Sequence, residues 1–326
     1  MPPPKSSKKV KKAKKTVSPQ LKAELRTKNQ HIKLARNLFR NIGFTRIAQL
    51  SDKEFEFKGI KSDFDDIFIH ENVVVVAEYT TSSESNVSDH LKKKNYIYQA
   101  IYKDPEVFVE FLKEKYPSIS SLFLSKYANH HFQVRAVYCS LNTIKSETKS
   151  QVIDISFLDY NVLRYFENVS GTIKYSAKYE FLAFLSVEAK NFGSSVIATT
   201  AGSGDYYSGS VLPGTHSHFP KGFKVVSFYV DASALLSRAY VLRRDGWRDE
   251  SDIYQRMILR SKVEGIRKHL LDGNNVFVNN IIVTLPSNSQ LVTESNTTID
   301  VADIKKTTPG KVNLPVEYNS IGLIDG

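Results

Sequence analysis

After a lysine-rich start, apolar residues recur at helical spacing through Leu21, Leu25, Ile32, Ala35, Leu38 and Phe39 and stop at Gly43. A glycine is a natural helix terminator, so the pattern predicts a helix over residues 18–41. Three short strands are expected next, over residues 45–50, 64–69 and 73–80, with His70, Glu71 and Asn72 between the last two. The run 73–77 is apolar on both faces, as at the centre of a covered sheet. A helix over 88–102 follows, with Ser88 or Asp89 as its N-cap. The rhythm then gives a helix over 105–115, strands over 132–141 and 152–157, and a helix over 177–189. Residues 191–222 hold six glycines, several serines, Pro213 and Pro220, and read as a loop or linker. Beyond them come a strand over 223–230, a helix over 254–271, a strand over 276–285 and the start of another at 321–324. The expected organisation is a basic tail (1–17), a first domain (18–190), a linker (191–222) and a second domain (223–326). Both domains belong to the mixed α/β (α+β) class.

With 326 residues, 41% of them hydrophobic, the chain can fill two cores without disulfides. The single cysteine, Cys139, lies in the apolar run 134–141 and is expected to be a small core residue in a reducing compartment. No apolar stretch is long enough to cross a bilayer and no secretion signal opens the chain, so a cytoplasmic protein without membrane partners is expected. The net charge is +11, but Lys5, Lys8, Lys9, Lys11, Lys12, Lys14 and Lys15 supply seven of those charges. Such a tail cannot pack and is expected to stay disordered, either as a solubilising segment or in contact with phosphates through counterion release.

The chemistry that the sequence suggests is carried by carboxylates. The second and third expected strands read Ser62-Asp63-Phe64-Asp65-Asp66-Ile67-Phe68-Ile69 and Val76-Ala77-Glu78-Tyr79-Thr80. If Glu71-Asn72 is a two-residue turn, His70 pairs with Val73, and Asp65 falls opposite Glu78 on one sheet face; a one-residue slip would put Asp66 there instead. Asp65 is favoured, with Asp66 as the substitute. The order helix, three strands, helix, strand over residues 21–141 resembles the PD-(D/E)XK nuclease superfamily, which places an acidic residue on its second core strand and Glu or Asp, any residue, then Lys on the third. The resemblance implies a restriction-endonuclease-like mixed sheet and Mg²⁺-dependent phosphodiester cleavage, with Asp65 and Glu78 as metal ligands and Glu24, on the first helix, as a third. It departs from the pattern at Thr80, where the family has its lysine. Some members take that lysine from the following helix. There Leu91, Tyr98 and Ile101 define the stripe toward the sheet; Lys94 falls on it, while Lys92 and Lys93 point away. Lys94 is therefore the candidate catalytic lysine, beside Asp65 and Glu78.

The last residues, Ile321-Gly322-Leu323-Ile324-Asp325-Gly326, set Asp-Gly directly after an apolar strand. With the blocks Ala239-Tyr240-Val241-Leu242-Arg243-Arg244, Tyr254-Gln255-Arg256-Met257 and Val278-Asn279-Asn280-Ile281-Ile282-Val283, they resemble the DGQHR family, distantly similar to the ParB and sulfiredoxin fold. The chain is then expected to stop inside this domain, at the opening of the motif. The resemblance implies a possible nucleotide site in the complete domain, at Asp325 and Gly326 with Arg243 and Arg244, and Arg256 as a further phosphate or DNA contact. It also implies DNA, and other proteins of a DNA modification or defence system, as partners, since the family includes a DNA-binding regulator of DNA phosphorothioation genes. Gly202-Ser203-Gly204 and His216-Ser217-His218 lack the context of a phosphate loop or a metal site and read as loop residues; Trp247 beside a turn reads as packing rather than a base-stacking platform.

Two functions compete on these grounds: a Mg²⁺-dependent endonuclease coupled to a nucleotide-binding domain, and a DNA-binding regulator whose nuclease-like domain does not cut. If the tail touches phosphates, deleting residues 1–15 will flatten the salt dependence of non-specific DNA binding, by up to about six in logarithmic slope. An unchanged slope at low salt would make the tail a bystander.

Overall fold

The computed structural model describes residues 18–82, 84–152, 154–193, 205–213, 224–241, 258–273, 280–300 and 304–325, with Val196 and Trp247 as isolated positions. The basic tail lies outside the described residues.

The first half opens on α1 (Pro19–Asn41), capped by the Ser18 hydroxyl, which accepts from the Leu21 amide at 3.2 Å. Then come β1 (Thr45–Arg46), the hairpin β2 (Phe55–Phe57) and β3 (Ile60–Ser62), β4 (Asp66–His70), β5 (Val73–Thr80), α2 (Glu84–Lys103), α3 (Pro105–Lys115), β6 (Gln133–Ser140), α4 (Ser146–Lys149), β7 (Ile155–Leu158), α5 (Tyr160–Ile173) and α6 (Lys178–Phe184). A five-stranded mixed sheet runs in the order β1-β4-β5-β6-β7. The pairs β1–β4 and β4–β5 are antiparallel, and β5–β6 and β6–β7 are parallel. Helices cover both faces. Val73, Val75, Ala77 and Tyr79 pack with Leu38 and Phe39 of α1 and with Phe166 and Phe181 of α5 and α6. Val74 and Val76 face Tyr98 and Ile101 of α2 and Phe108 and Leu112 of α3. Every residue of β5 is buried, as its two-sided apolar run requires.

Beside this apolar packing, α1 is tied to the sheet by a polar contact. Asp66, 0% exposed at the start of β4, receives Arg36 of α1 through Nε at 2.6 Å and the terminal nitrogen at 3.2 Å. It also receives the Arg46 Nε, the Ser51 hydroxyl at 2.8 Å and the Tyr79 hydroxyl at 2.8 Å. Burial alone would raise the Asp66 pKa, but these donors outweigh it and hold the carboxyl below its ordinary range.

The second half contains β8 (Asp205–Val211), β9 (Val226–Phe228), α7 (Ala232–Arg238), β10 (Ala239–Tyr240), α8 (Arg260–Leu271), β11 (Ile282–Thr284), β12 (Gln290–Val292), β13 (Thr308–Leu314) and β14 (Ile321–Asp325). They form a four-stranded antiparallel sheet, β12-β13-β8-β9, and a three-stranded sheet, β10-β14-β11. The turn between β13 and β14 reaches the first half. Tyr318 is buried in the α1-side core and donates its hydroxyl to the Val187 carbonyl, while the Asn319 amide donates to the Tyr179 carbonyl at 2.8 Å. Trp247 packs edge-on against Phe184, with ring centroids 5.6 Å apart, so its described role is packing.

The architecture is the expected mixed α/β class, with differences in its elements. The segment read as a linker contains β8, fully paired with β13. Its sequence Asp-Tyr-Tyr-Ser-Gly-Ser-Val has too little apolar alternation to read as a strand, and its glycine is needed for proximity: a Cβ on Gly209 would lie 2.1 Å from the Ser227 carbonyl oxygen. The first expected strand is only two residues long, because a 3₁₀ turn takes Ala48–Leu50. α2 starts at Glu84, so Ser88 and Asp89 lie inside the helix rather than at its cap; the first turn carries no apolar period that would reveal it. The helix α5 was not legible because its valines, isoleucine and aromatics are indifferent helix formers, and it is held instead by its buried stripe Leu163, Phe166, Val169.

Asp66→Ala strands two guanidinium groups that now share one carboxylate, and should cost about 3–5 kcal/mol of unfolding free energy. Because the Asp66 pKa is depressed, its contribution exists above the unfolded carboxylate range and is lost as pH falls through the folded value. Urea unfolding should therefore show the gap between parent and variant closing in acid; a loss under about 1 kcal/mol at neutral pH would contradict this role.

Candidate active site

The hairpin β4–β5 pairs His70 with Val73 and ends at Asp66 opposite Ala77, so Glu71-Asn72 is a two-residue turn and Asp65, the next residue, stands across from Glu78. Alternation along β4 and β5 then sorts the acids by face. Asp66 points with Tyr79 toward α1; Asp65 and Glu78 belong to the α2 side. Asp66 is thereby removed as a substitute metal ligand, since its oxygens are consumed by Arg36, Arg46, Ser51 and Tyr79.

Glu78 is 4% exposed. Burial pushes its carboxyl up to about 8 against the downward pull of Lys94, and the charges of Asp65 and Asp63 push the same way as burial. Burial likewise raises the Asp65 pKa, opposed by the Tyr79 amide, which donates to its Oδ2 at 2.7 Å; Asp52 raises it further and the charge of Lys28 lowers it. Lys94 is buried at 9% exposure while Lys92 and Lys93 are exposed. Its Nζ donates to Glu78 Oε1 at 2.7 Å, to Asp63 Oδ1 at 2.8 Å and to the Asp63 carbonyl at 2.5 Å, and lies 5.6 Å from the centre of the Phe64 ring. Burial would lower the lysine pKa, but Glu78 and Asp63 prevail and raise it, so the ammonium stays charged. Asp63 in turn is lowered by its bond from Lys94.

Thr80, at the position of the expected lysine, accepts from the Ser82 amide at 3.1 Å and opposes the burial that raises the pKa of the neighbouring Tyr138 hydroxyl. That hydroxyl meets His90 Nδ1 at 3.0 Å, and His90 Nε2 stands 3.9 Å from Glu78 Oε2. Glu78 is thus flanked by Asp65 on the β4 side and by Tyr138, its register partner, on the β6 side. Asp52, Asp63, His90 and Tyr138 were not singled out from sequence. The available signals were weak: His90 precedes Lys94 by one helical turn, and Asp63 belongs to the same acidic cluster as Asp65.

Glu24 does not join this group. It lies on the exposed first half of α1, seven residues before the first buried position, His31. Among the described residues, no three His, Cys, Asp or Glu side chains are gathered tightly enough to hold a metal ion. Two hard carboxylate oxygen donors remain, Asp65 and Glu78, their pKa values raised chiefly by burial. That donor set suits Mg²⁺, which commonly takes one or two protein carboxylates and fills its remaining positions with water and phosphate. In the second half, Asp325 closes the central strand β14; its side chain, Gly326, Arg243, Arg244 and Arg256 lie outside the described residues, as do Gly202-Ser203-Gly204 and His216-Ser217-His218. Cys139 is fully buried, and no described helix is long and apolar enough to cross a membrane.

Comparison with family models, with curated proteins and with solved structures found no match.

The Glu78 carboxyl gives a pH test. Its folded pKa of about 8 exceeds the ordinary 4.5, so its contribution to stability is full below 4.5 and is lost as pH rises through about 8. Lys94, raised above 10.5, does not titrate in that window. Glu78→Gln, which cannot ionise, should therefore gain stability relative to the parent as pH climbs from 4.5 to about 8, and the gain should level off above it. Parallel unfolding profiles across this range would show that Glu78 is not strained by burial.

Proposed function

We propose that the chain is a DNA-associated protein whose first domain is a Mg²⁺-dependent endonuclease of the restriction-endonuclease-like, PD-(D/E)XK type. The observation that carries this reading is Lys94: a charged, buried lysine from the crossover helix bonded to Glu78, on the sheet face where Asp65 also stands. The supporting frame is a helix, two antiparallel strand pairings, a crossover helix and a parallel strand.

In this reading Asp65 and Glu78 hold the cation. When bound, Mg²⁺ would polarise the attacked phosphate and acidify a water. Lys94 stabilises the negative charge that develops on the phosphate oxygens, the task that the Thr80 hydroxyl cannot perform. Asp63 positions Lys94, since it accepts from Nζ through both side chain and main chain. The second domain would be a DGQHR, ParB-like unit that binds nucleotide or DNA phosphate near Asp325. What supports that part is a strand, central to its sheet, that delivers the motif's first residue at its end. A non-cutting DNA-binding regulator is the second reading, favoured by the neutral Thr80.

Asp65→Ala, Glu78→Ala and Lys94→Ala should each reduce Mg²⁺-dependent nicking of plasmid DNA at least about 100-fold while DNA retention in a mobility shift stays near that of the parent. A parent protein that binds but never cuts with any divalent metal selects the regulator. Cutting that survives Lys94→Ala but not Glu78→Ala would keep the metal site and discard the lysine's role.

A further inference from the structure

Two side chains of α2, one helical turn apart, divide the Glu78 carboxylate between them. Lys94 Nζ donates to Oε1 at 2.7 Å, and His90 Nε2 stands 3.9 Å from Oε2. The first is a hydrogen bond; the second is too long to be one. Neither Nε2 nor Oε2 has a hydrogen-bond partner among the described residues, and neither is sealed from solvent. The His90 side chain is 39% exposed, so the carboxylate is open on that side. The imidazole itself is held from behind. Val87 and Leu91, on the same helix, pack with Tyr138 in a buried cluster, and Nδ1 lies 3.0 Å from the Tyr138 hydroxyl. Tyr138 has no exposed surface and is the register partner of Glu78 on the adjacent parallel strand. A buried group thus orients the ring toward Oε2.

The width between the two atoms selects what can join them. A water about 2.8 Å from each spans 3.9 Å at an angle of about 90°, close to the roughly 105° between its own O–H bonds. A phosphate oxygen does not fit there, because it has no proton to give and the Oε2 charge repels it. Water has two protons. With one donated to Oε2 and the other to Nε2, both of its lone pairs stay free and point away from the protein atoms. That arrangement needs Nε2 without a proton, so Nδ1 carries it and donates to the Tyr138 oxygen.

We propose that His90 Nε2 and Glu78 Oε2 together hold the water that attacks the phosphodiester, with Tyr138 fixing the imidazole in its Nδ1–H form. The inference rests on the DNA-cleaving reading and gives His90 a task separate from the charge stabilisation by Lys94. The water oxygen forms the new bond to phosphorus and the bond from phosphorus to one sugar oxygen breaks. The water proton leaves along one of its two hydrogen bonds, and the departing oxygen takes a proton from solvent.

The test uses the full chain at about pH 8.5, where an ordinary imidazole is neutral. Without metal or DNA, NMR of protein labelled at the histidine ring nitrogens should show His90 protonated at Nδ1 and bare at Nε2, its signal identified by loss in His90→Gln. Tyr138→Phe, which removes the acceptor, should move that proton to Nε2. Single-turnover nicking with Mg²⁺ at saturating protein should fall about 100-fold in His90→Ala, as for a misplaced reacting group, with duplex affinity and thermal unfolding near the parent's. His90→Gln, whose amide oxygen can accept from the water, should recover at least about tenfold of that loss. A proton on Nε2 in the parent overturns the assignment, as does cutting that depends on Glu78 but is unchanged in His90→Ala. A slow His90→Ala that also unfolds at lower temperature and is not rescued by Gln makes His90 a brace between α2 and β6, and overturns it equally. A parent that cuts with no divalent metal overturns the DNA-cleaving reading, and the task of the water falls with it.

Discussion

The architecture around the candidate site depends on the burial of one charge. Asp66 has no exposed surface, and such a carboxylate is tolerated only when its oxygens are saturated by donors. Those donors come from three places: Arg36 on α1, Arg46 and Ser51 around the first strand and its following turn, and Tyr79 on β5. The network therefore sets the height of α1 against the sheet and pins the open end of the β4–β5 hairpin. Since successive strand residues face opposite ways, holding Asp66 on the α1 side commits Asp65 to the α2 side. The structural acid and the candidate catalytic acid are adjacent in sequence, and the fixed role of one determines the direction of the other.

On the α2 side the balance is of another kind. Asp66 has more donors than it needs to stay ionised, whereas Glu78 and Asp65 are desolvated with their pKa values raised. Lys94 divides its ammonium between Glu78 and Asp63, so it offsets only part of the charge that burial penalises. Burial thus favours the protonated form of both acids, and Lys94 opposes it only at Glu78. Shifted groups of this kind mark Asp65 and Glu78 as candidate site residues, in contrast to the saturated Asp66.

The legible parts of the fold were those with a strong local period. The apolar run of β5 and the turn residues before it gave the hairpin register, and register placed Asp65 opposite Glu78. The stripe Leu91, Tyr98, Ile101 gave the inward side of α2 and, with it, the burial of Lys94. What escaped was what long-range pairing makes. β8 is a strand because β13 lies beside it, not because of its own residues. The saturation of Asp66 needs Arg36, thirty residues away in the chain, and no spacing rule announces that pairing. His90 and Tyr138 come together across 48 residues for the same reason. The reach of Glu24 was overestimated because the helical period gives a side chain's direction but not where the helix leaves the sheet.

The relation between the two halves follows from Tyr318. Its ring is buried among Tyr179, Phe192 and the α1-side core, and its hydroxyl is paired with the Val187 carbonyl. Arg238, at the end of α7, braces the same turn by donating to the Pro315 carbonyl at 2.7 Å and to Asp205 at 2.7 Å, and the Ser320 amide returns a bond to the Arg238 carbonyl at 2.9 Å. The turn that enters β14 is thus held from both sides. A tyrosine that fills a core position of the first half cannot be withdrawn without leaving a void among aromatic side chains, which costs far more than breaking a surface contact. The two halves therefore do not behave as beads on the segment between them. The strand that ends at Asp325 is anchored, through the six residues of the braced turn 315–320, to the same core that α1 and β5 build beneath the carboxylates.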